Sequence, residues 1–298
     1  MGANIRRLEF KEAREGWILV IPLLVLMMIF ILYPVLTNFY YSFTKWKGIG
    51  DPKWIGIANY VKMFQDERFF SSLKNTGILI LYIPVGVFLP LLLSAIMRDG
   101  IRGWKAYRAV LFLPNILGPV LLGTLFVIIL SQVGPIIAML DRLGVENAAR
   151  IHFLGKSKSA INILSFLFVV WMKLGFGCIY FLAAMSNIDS SLYDAARIDG
   201  ANWWKTFFHV TVPGVSFALQ FFTVLHFIEI FARMYGIIFT LTGGGPGYAT
   251  YTLEFGVYTI GFQAFQRGYA SSWAVVLFIF CAAIALVQIR LLRKGENR

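Results

Sequence analysis

The stretch Ser190–Pro213, SSLYDAARIDGANWWKTFFHVTVP, is the longest polar-rich segment in the second half of a very apolar chain. Ser191 and Asp194 have the spacing of a capping box, which predicts the start of a short helix. Gly200 can end that helix in the left-handed conformation, and Trp203–Val210 predicts a further helical turn. The pattern therefore predicts two short helices joined by a tight turn between two apolar segments. Small residues, which would let another protein approach closely, stand at Ala195, Ala196, Gly200 and Ala201.

The composition excludes an ordinary soluble globular protein. The chain has 298 residues, of which 58% are hydrophobic and only 14% are charged, whereas soluble domains carry roughly 25% charged residues. A formal net charge of +12 could indicate nucleic-acid binding, but the sequence has no basic helix with interleaved aromatic residues and no nucleic-acid motif. The basic residues lie instead beside apolar segments, which is typical of membrane proteins.

Six apolar runs are each close to the ~20 residues that an α-helix needs to cross a bilayer. They are Trp17–Leu36, Leu73–Met97, Ala106–Leu130, Ala160–Met185, Val210–Leu241 and Ser271–Leu292. Strands of a membrane β-barrel need only ~9–11 residues, so the lengths favour helices. The sequence therefore predicts an all-α integral membrane protein with six transmembrane helices. Prolines in the first three runs predict kinks, which membrane helices tolerate.

The distribution of lysine and arginine predicts the orientation of the chain. Four basic residues fall within the eleven residues 98–108, and such density is typical of a cytoplasmic loop. With six spans, both termini and Ser186–His209 then lie in the cytoplasm. The outer segments are Thr37–Ser72, Ser131–Ser159 and Thr242–Ala270. The predicted divisions are a cytoplasmic segment at residues 1–16 with a candidate helix at Asn4–Glu15, a membrane domain at 17–292 and a cytoplasmic tail at 293–298.

Several segments resemble the membrane subunits of ATP-binding-cassette (ABC) importers. The pattern D-A-A-x-x-D-G-A at Asp194–Ala201, followed by V-x-V-P, resembles the EAA loop of these permeases, although Asp194 stands where glutamate is usual. TGGGP at Thr242–Pro246 and FQRGYASSWA at Phe265–Ala274 resemble segments of permeases of the maltose and glycerol-phosphate type. The opening prolines and Tyr41–Phe43 match the maltose-permease-like first subunit better than its partner subunit. The resemblance thus covers nearly the whole chain.

This resemblance implies a type I ABC-importer permease bundle, surrounded by lipid in the inner (cytoplasmic) membrane. The EAA-like loop would dock into a cleft of an ATPase subunit through Asp194, Ala195, Ala196, Asp199, Gly200 and Ala201. Two ATPase subunits would bind ATP and magnesium, so this chain would bind no cofactor of its own. A second, homologous permease would complete the pathway, and an extracytoplasmic binding protein would deliver the solute. The implied solute is a carbohydrate or a carbohydrate-like molecule, acidic and phosphorylated sugars included.

The residues themselves show no site for catalysis or for a nucleotide. The glycine-rich TGGGP lacks the spacing of a phosphate-binding P-loop, and a tight turn is the simpler interpretation. Three histidines, His152, His209 and His226, form no metal-ligand pattern. Cys178 and Cys281 each stand inside an apolar run, where buried thiols are more typical than a disulfide. We therefore expect a transport subunit and not an enzyme.

Three charged residues stand deep in the predicted spans, where a charge is costly and usually faces a cavity or a partner. Lys173 is in the middle of the fourth run, and Glu229 and Arg233 are in the fifth. The spacing places His226, Glu229 and Arg233 on one helix face. Glu229 and Arg233 form either a buried ion pair or part of a solute cavity, and both interpretations stay open. For Lys173 we favour the cavity, because its own helix has no acidic residue nearby.

In the permeases that the chain resembles, the spans on either side of the EAA loop line the solute site near the middle of the membrane. Carried over by position, the candidates are Lys173, Phe176, Phe227, Ile230, Phe231 and Met234, with Glu229 and Arg233 beside them. Aromatic faces suit the apolar faces of sugar rings, and polar groups then bind the hydroxyls. The alternative for the phenylalanine and methionine residues is ordinary helix packing.

Two other function classes compete with an ABC permease. An ion-coupled secondary transporter usually has inverted repeats and broken helices around an ion site at the midplane, and the sequence shows no internal repeat. An integral-membrane enzyme would need a polar catalytic cluster at the end of a span, and the sequence offers none. Co-purification with an ATPase and a second permease would distinguish the ABC permease from both.

Overall fold

The structure, a computed structural model, describes residues 16–100 and 103–296. The candidate helix at Asn4–Glu15 and the last two residues of the predicted tail lie outside the described residues. Contacts divide the chain into two compact units. One unit comprises the residues up to 63 together with 260–275, and the other comprises 64–259 together with the residues from 276 onward.

Helices dominate both units. They are α1 (Gly16–Ser42), α2 (Ala58–Met63), α3 (Glu67–Arg98), α4 (Trp104–Ile129), α5 (Pro135–Arg142), α6 (Ser157–Met185), α7 (Ser190–Ile198), α8 (Trp203–Gly214), α9 (Ser216–Ala232), α10 (Tyr235–Leu241), α11 (Leu253–Tyr258) and α12 (Arg267–Glu296). A 3₁₀ turn lies at Ala148–Arg150 and a π-helical turn at Thr259–Gln263. Within the described residues, the only strands are β1 (Thr44–Lys45) and β2 (Lys53–Trp54), which pair antiparallel.

Five helices of the described chain are long and apolar enough to cross a membrane: α1, α3, α4, α6 and α12. The pair α8 and α9 adds a sixth crossing if it is counted as one bent span. The predicted all-α membrane fold is therefore confirmed. The fifth predicted span takes a form that the hydropathy of the sequence did not predict.

That span, predicted as Val210–Leu241, is not one straight helix. α8 begins at Trp203, where the sequence predicted a separate helical turn, and it continues into the predicted span; the chain then bends by 75° between α8 and α9. α9 ends at Ala232, and Leu241 belongs to the separate helix α10. Arg233, expected deep in the span, therefore lies just beyond the end of α9.

Local interactions explain both breaks. Near the first, Pro213 lacks the backbone N–H that a regular helix needs. A Cβ at Gly214 would lie 2.6 Å from Cδ1 of Ile188, so the missing side chain leaves room for that isoleucine at the bend. At the second, the Glu254 carboxylate accepts hydrogen bonds of 2.6 and 3.1 Å from two backbone N–H groups at the start of α10. Burial raises the pKa of the Glu254 carboxyl, although these hydrogen bonds favour its charged form.

Prolines interrupt the first three apolar helices, as predicted. In α1 a π-helical turn, Met28–Leu32, precedes Pro34. α3 is broken at Tyr82, two residues before Pro84. In α4, Gly118 takes a non-helical conformation (φ 71°, ψ 168°) directly before a proline. Each interruption follows from the missing N–H of proline and from the clash of its ring with the preceding backbone.

The second unit packs α3, α4 and α6 through close contacts at glycine. A Cβ at Gly175 of α6 would lie 2.3 Å from the carbonyl oxygen of Leu111 in α4. One at Gly86 of α3 would lie 2.5 Å from the carbonyl oxygen of Val169 in α6. Such close approach of helix backbones is typical of membrane bundles. α6 also packs against α9, where Phe222 is completely buried.

Candidate functional sites

The deep charges of α6 and α9 pair with each other. The ammonium nitrogen of Lys173 lies 2.8 Å from Oε1 of Glu229, and the two side chains are only 13% and 6% exposed. The expectation that Lys173 faces a cavity rested on the lack of an acidic residue in its own helix. Its partner comes from the neighbouring helix instead. The pair compensates both charges and ties α6 to α9.

Arg233 makes a weaker contact with the same carboxylate. Its guanidinium nitrogen is 3.9 Å from Oε1 of Glu229, which is beyond hydrogen-bonding distance, and its side chain is 73% exposed. Of the ion pair between Glu229 and Arg233, one of the two interpretations left open above, only a loose contact is present, and only its Glu229 side is buried. Arg233 keeps an exposed positive charge at the end of α9, where a ligand or a partner can reach it.

His226 holds α9 against a π-helical turn of α6. Its Nε2 is 3.2 Å from the carbonyl oxygen of Val169, and its Nδ1 is 2.9 Å from that of Phe222. Val169 belongs to the turn Phe166–Trp171, a rare helical form that occurs mostly as single turns, often at functional sites. Both neighbours are acceptors, whereas a neutral imidazole donates only one hydrogen bond. Because the ring is buried, the histidine positions the two helices and presents no surface to a solute.

Aromatic rings of α6 and α9 form a stacked row. Phe176 and Tyr180, one turn apart on α6, have ring centroids 6.2 Å apart, and both stack on Phe222 of α9. Phe221 lies 6.0 Å from Tyr180. Phe176 and Phe221 are 37% and 43% exposed. Sequence reasoning misses Tyr180 and Phe221, although the i, i+4 spacing from Phe176 is the signal that could have found the tyrosine.

Three residues carried over to the pathway are packed inside the chain. Ile230, Phe231 and Met234 are 1%, 6% and 0% exposed, and Phe231 stacks on Phe280 of α12 with centroids 5.6 Å apart. They offer no surface to a solute in this structure, so the alternative of ordinary helix packing applies to them. Phe227 differs, because it is partly exposed and lines two apolar cavities of about 460 and 490 Å³.

The first predicted helix of the polar-rich segment is present, but its start is capped differently. α7 begins at Ser190, and the N–H of Ser191 donates to Oδ1 of Asp189 at 2.9 Å. Asp189 therefore takes the capping role predicted for Ser191, and Asp194 forms an exposed contact of 3.6 Å with Arg197. Hydrogen bonds from Ser191 hold the pKa of the Asp189 carboxyl below its usual value.

Gly200 ends α7 as predicted. Its φ is +72°, and the N–H groups of Gly200 and Ala201 donate to the carbonyl oxygens of Arg197 and Ala196 at 3.1 and 2.9 Å. This pattern is a Schellman motif, which favours glycine. A Cβ at Gly200 would meet no described atom within 4 Å. The backbone conformation, and not crowding within the chain, therefore favours glycine here.

Most of α7 and its flanking turn is open at the surface. Of the residues predicted to contact an ATPase, the exposed ones are Asp194, Ala195, Asp199 and Gly200, and the half-buried ones are Ala196 and Ala201. Large apolar side chains are exposed beside them: Leu192 is 53% exposed, Ile198 87%, and Trp204 of α8 52%. An exposed apolar surface next to polar residues is typical of a protein–protein contact.

Metal ligands are not grouped in the described part of the chain. No three His, Cys, Asp or Glu side chains there lie close enough to hold a metal ion. Cys178 and Cys281 are free thiols, the first buried and the second half-buried. The accessible groups described above are an arginine, aromatic rings and an exposed helix, which are surfaces for binding a ligand or a protein.

Comparisons with known proteins extend over nearly the whole chain. No protein-family model matches it. It is 32% identical over 290 residues to the probable ABC transporter permease protein YurN of Bacillus subtilis (strain 168), which covers 94% of this chain and 97% of the relative. It is 30% identical over 285 residues to the multiple sugar-binding transport system permease protein MsmF of Streptococcus mutans, covering 94% and 96%. Among solved structures, a chain of a bacterial ABC transporter involved in the import of the acidic polysaccharide alginate matches with a TM-score of 0.82 at 25% identity, covering 96% and 98%.

Proposed function

The chain belongs to the permease family of ABC transporters, and we propose that it forms half of the pathway by which a carbohydrate or carbohydrate-like solute is imported. Similarity to permeases over nearly the whole chain favours this proposal over a membrane enzyme and over an ion-coupled secondary transporter. Similarity to a sugar permease and to a chain of an alginate importer supports the solute class. The proposal rests mainly on α7. This helix is exposed and capped, and along the chain it stands between α6 and α9, the helices that carry Lys173 and Glu229.

ATPase docking is the role we assign to α7. α6 ends at Met185 and α8 begins at Trp203, so α7 is joined to both by short connections. A short helix moves as a rigid body, and its displacement therefore moves the ends of α6 and α8 together. Asp194, Ala195, Asp199 and Gly200 offer the exposed surface for this contact. In this proposal partner subunits bind ATP and magnesium, and the chain converts their closure into helix movement.

The solute contacts we propose are the accessible residues of α6 and α9. Phe176, Tyr180 and Phe221 offer ring faces that suit the apolar faces of sugars. Arg233 is exposed enough to donate hydrogen bonds to hydroxyl, carboxylate or phosphate groups. Lys173 and Glu229 support these residues from inside the bundle by tying α6 to α9. An exposed arginine suits acidic and phosphorylated sugars as well as neutral ones.

A second, homologous permease completes the pathway in this proposal, and an extracytoplasmic binding protein delivers the solute. The two apolar cavities lined by Phe227 support a further protein neighbour, because one chain leaves them open. We place the multi-pass chain in the cytoplasmic membrane, with both termini and α7 on the cytoplasmic side. The dense basic residues at 98–108 support that orientation.

Reconstitution tests the proposal. The tagged chain is purified from native membranes, the co-purifying proteins are identified by mass spectrometry, and the complex is placed in liposomes with its binding protein. We expect an ATPase and a second permease to co-purify, and labelled sugar uptake to require ATP. Addition of an ionophore should leave uptake unchanged, and a non-hydrolysable ATP analogue should abolish it. Uptake driven by an ion gradient without ATP would refute the proposed function.

A further inference from the structure

The end of α3 contacts α7 and α8 through charged and aromatic side chains. The guanidinium carbon of Arg98, the last residue of α3, lies 3.7 Å from the ring centroid of Tyr193 in α7. Nη2 of Arg98 donates to Oδ1 of Asp99 at 2.9 Å. The indole N–H of Trp203 donates to Oδ2 of the same carboxylate at 2.7 Å. Asp99 thus joins the end of α3 to the first residue of α8.

The same group of side chains also joins α7 to α8. The hydroxyl oxygens of Tyr193 and Thr211 are 3.3 Å apart. The ring of Trp203 stacks on Phe207 with centroids 5.3 Å apart and planes inclined by 7°. A cavity of about 210 Å³ lies among these residues. Four side chains define this attachment, which we name the clasp: Arg98, Asp99, Tyr193 and Trp203.

The contacts of the clasp are few and individually weak. The side chains of Arg98 and Asp99 are 28% and 37% exposed, and ion pairs with that exposure are weak. Nη1 of Arg98 is buried and has no hydrogen-bond partner among the described residues. The attachment therefore depends on the hydrogen bond from Trp203 to Asp99 and on the ring contact of Arg98. Neither contact is covalent, and the cavity beside them leaves room for side-chain movement.

We propose that the clasp transmits movement of α7 and α8 to α3. The chain itself joins α7 only to α6 and α8, and the clasp adds a third helix. This inference rests on the proposed function, in which closure of the ATPase moves α7. α3 touches α6 at Gly86, where a Cβ would lie 2.5 Å from the carbonyl oxygen of Val169. A displaced α3 therefore presses on the helix that carries Lys173. Asp99 and Trp203 act as positioning residues, because their hydrogen bond makes α3 and α8 move together.

Two substitutions remove the central hydrogen bond. Asp99→Leu keeps nearly the size of the side chain but removes both acceptor oxygens. Trp203→Phe keeps a ring that can stack on Phe207 but removes the indole N–H. In liposomes with the complete complex, both variants should retain the ATPase and its solute-stimulated hydrolysis. The number of solute molecules transported per ATP hydrolysed should fall about two- to tenfold. Loss of one hydrogen bond shifts the equilibrium between attached and detached α3 and α8 by about that factor.

A double variant and two controls make the test specific. Asp99→Leu combined with Trp203→Phe should lose little more coupling than Asp99→Leu alone, because the hydrogen bond that Trp203→Phe removes is already absent from Asp99→Leu. Asp99→Glu keeps a charged acceptor and should retain most of the coupling. Trp54→Phe alters an exposed indole outside the clasp for which the described residues provide no hydrogen bond, and it should behave as the wild type.

Two results would contradict the proposal that the clasp transmits movement to α3. Wild-type transport per ATP in both single variants would show that α3 is not coupled through it. Release of the ATPase from either variant would show that these residues serve docking and not transmission. In both cases ATP-dependent uptake by the wild-type complex would still support the proposed function. The absence of such uptake would instead refute the proposed function itself.

Discussion

At the scale of single residues, the pair Lys173–Glu229 decides how variants of either residue should be interpreted. Both side chains are nearly buried, and removing one partner of a buried pair leaves a charge whose cost is about 3–5 kcal/mol. We expect Lys173→Met and Glu229→Gln each to lower the melting temperature of the purified complex. The double variant should recover most of the loss. Thermal unfolding in detergent, followed by loss of the monodisperse peak in size-exclusion chromatography, measures both effects.

Arg233→Gln is the matched control for that pair. Its side chain is 73% exposed and lies 3.9 Å from Glu229, so its removal should leave the melting temperature almost unchanged. If Arg233 contacts the solute, the same variant should weaken uptake at low solute concentration. A stable Lys173→Met complex with weakened uptake would contradict the pairing argument. It would indicate that the ammonium group of Lys173 serves the solute directly.

Two phenylalanines provide a second test at this scale. Phe231 is 6% exposed, and replacing a buried phenylalanine with alanine costs about 3–5 kcal/mol. Phe231→Ala should therefore lower stability and yield. Phe176 is 37% exposed, so Phe176→Ala should cost less stability than Phe231→Ala. It should raise the solute concentration for half-maximal uptake about two- to tenfold, the value of one aromatic contact. Equal losses of stability in both variants would assign Phe176 to packing as well.

Some features of these residues could be predicted from the sequence, and others could not. The role of Gly200 at the end of α7 could be predicted, because the left-handed conformation that ends a helix is a local backbone property. The partner of Lys173 could not, because helix spacing rules describe neighbours within one helix and Glu229 lies 56 residues away. The burial of Phe231 could not be predicted either. A helix that is apolar on all sides has no polar face to mark which side is accessible.

At the scale of elements, the turn after α7 offers a test of docking. Alanine and leucine at Gly200 both have to adopt a φ of +72°, at a cost of about 1–2 kcal/mol. A side chain there meets no described atom of this chain within 4 Å. We therefore expect Gly200→Ala to retain the ATPase and Gly200→Leu to release it or to uncouple hydrolysis from uptake. The amount of ATPase that co-purifies and the solute-stimulated hydrolysis rate measure the difference.

The comparison between alanine and leucine isolates the effect of bulk. Both variants carry the same backbone strain, so only contact with a partner can separate them. Asp194→Glu introduces the residue that is usual in the EAA loop and should be silent, because Asp194 is exposed. Wild-type ATPase binding and hydrolysis in Gly200→Leu would show that the end of α7 is only a connector. Equal losses in Ala and Leu variants would attribute the effect to the backbone.

The elements show where hydropathy succeeds and where it fails. It locates the apolar helices because each span needs a run of apolar residues of bilayer length. It misplaces their ends, since α3 begins at Glu67 and the run was predicted from Leu73. Backbone hydrogen bonds continue where the apolar residues stop. The bend at Gly214 and the end of α9 depend on Ile188 and Glu254, which come from other parts of the chain. Such contacts are not visible in a hydropathy pattern.

At the scale of the whole molecule, apolar surface remains that one chain does not bury. None of the most apolar 18-residue stretch of α1 is buried within the described structure. Two further apolar cavities are open around Phe227. Lipid can cover an isolated apolar helix, and the helices of a neighbouring membrane subunit can pack into such cavities. The exposed surface is thus consistent with a chain that works as one part of a membrane complex.

The number of membrane crossings depends on the bent pair α8 and α9. The pair is either one broken span or a re-entrant loop that returns to the side from which it started. A crossing places the connection after α6 and the connection after α10 on opposite sides of the membrane. A re-entrant pair places them on the same side and reduces the number of crossings to five. The two termini would then lie on opposite sides as well.

We predict that α8 and α9 cross the membrane, with α7 in the cytoplasm. The basic residues at 98–108 and the contact of Arg98, at the end of α3, with Tyr193 of α7 place α7 on the side of the dense positive charge. Asn187→Cys and Tyr248→Cys test the prediction in a background with Cys178→Ala and Cys281→Ala, since both positions are exposed. A membrane-impermeant maleimide should label position 248 in intact cells and position 187 only after permeabilisation. Labelling of both positions from one side would establish a re-entrant pair. The side from which position 187 is labelled would then be the side on which α7 lies.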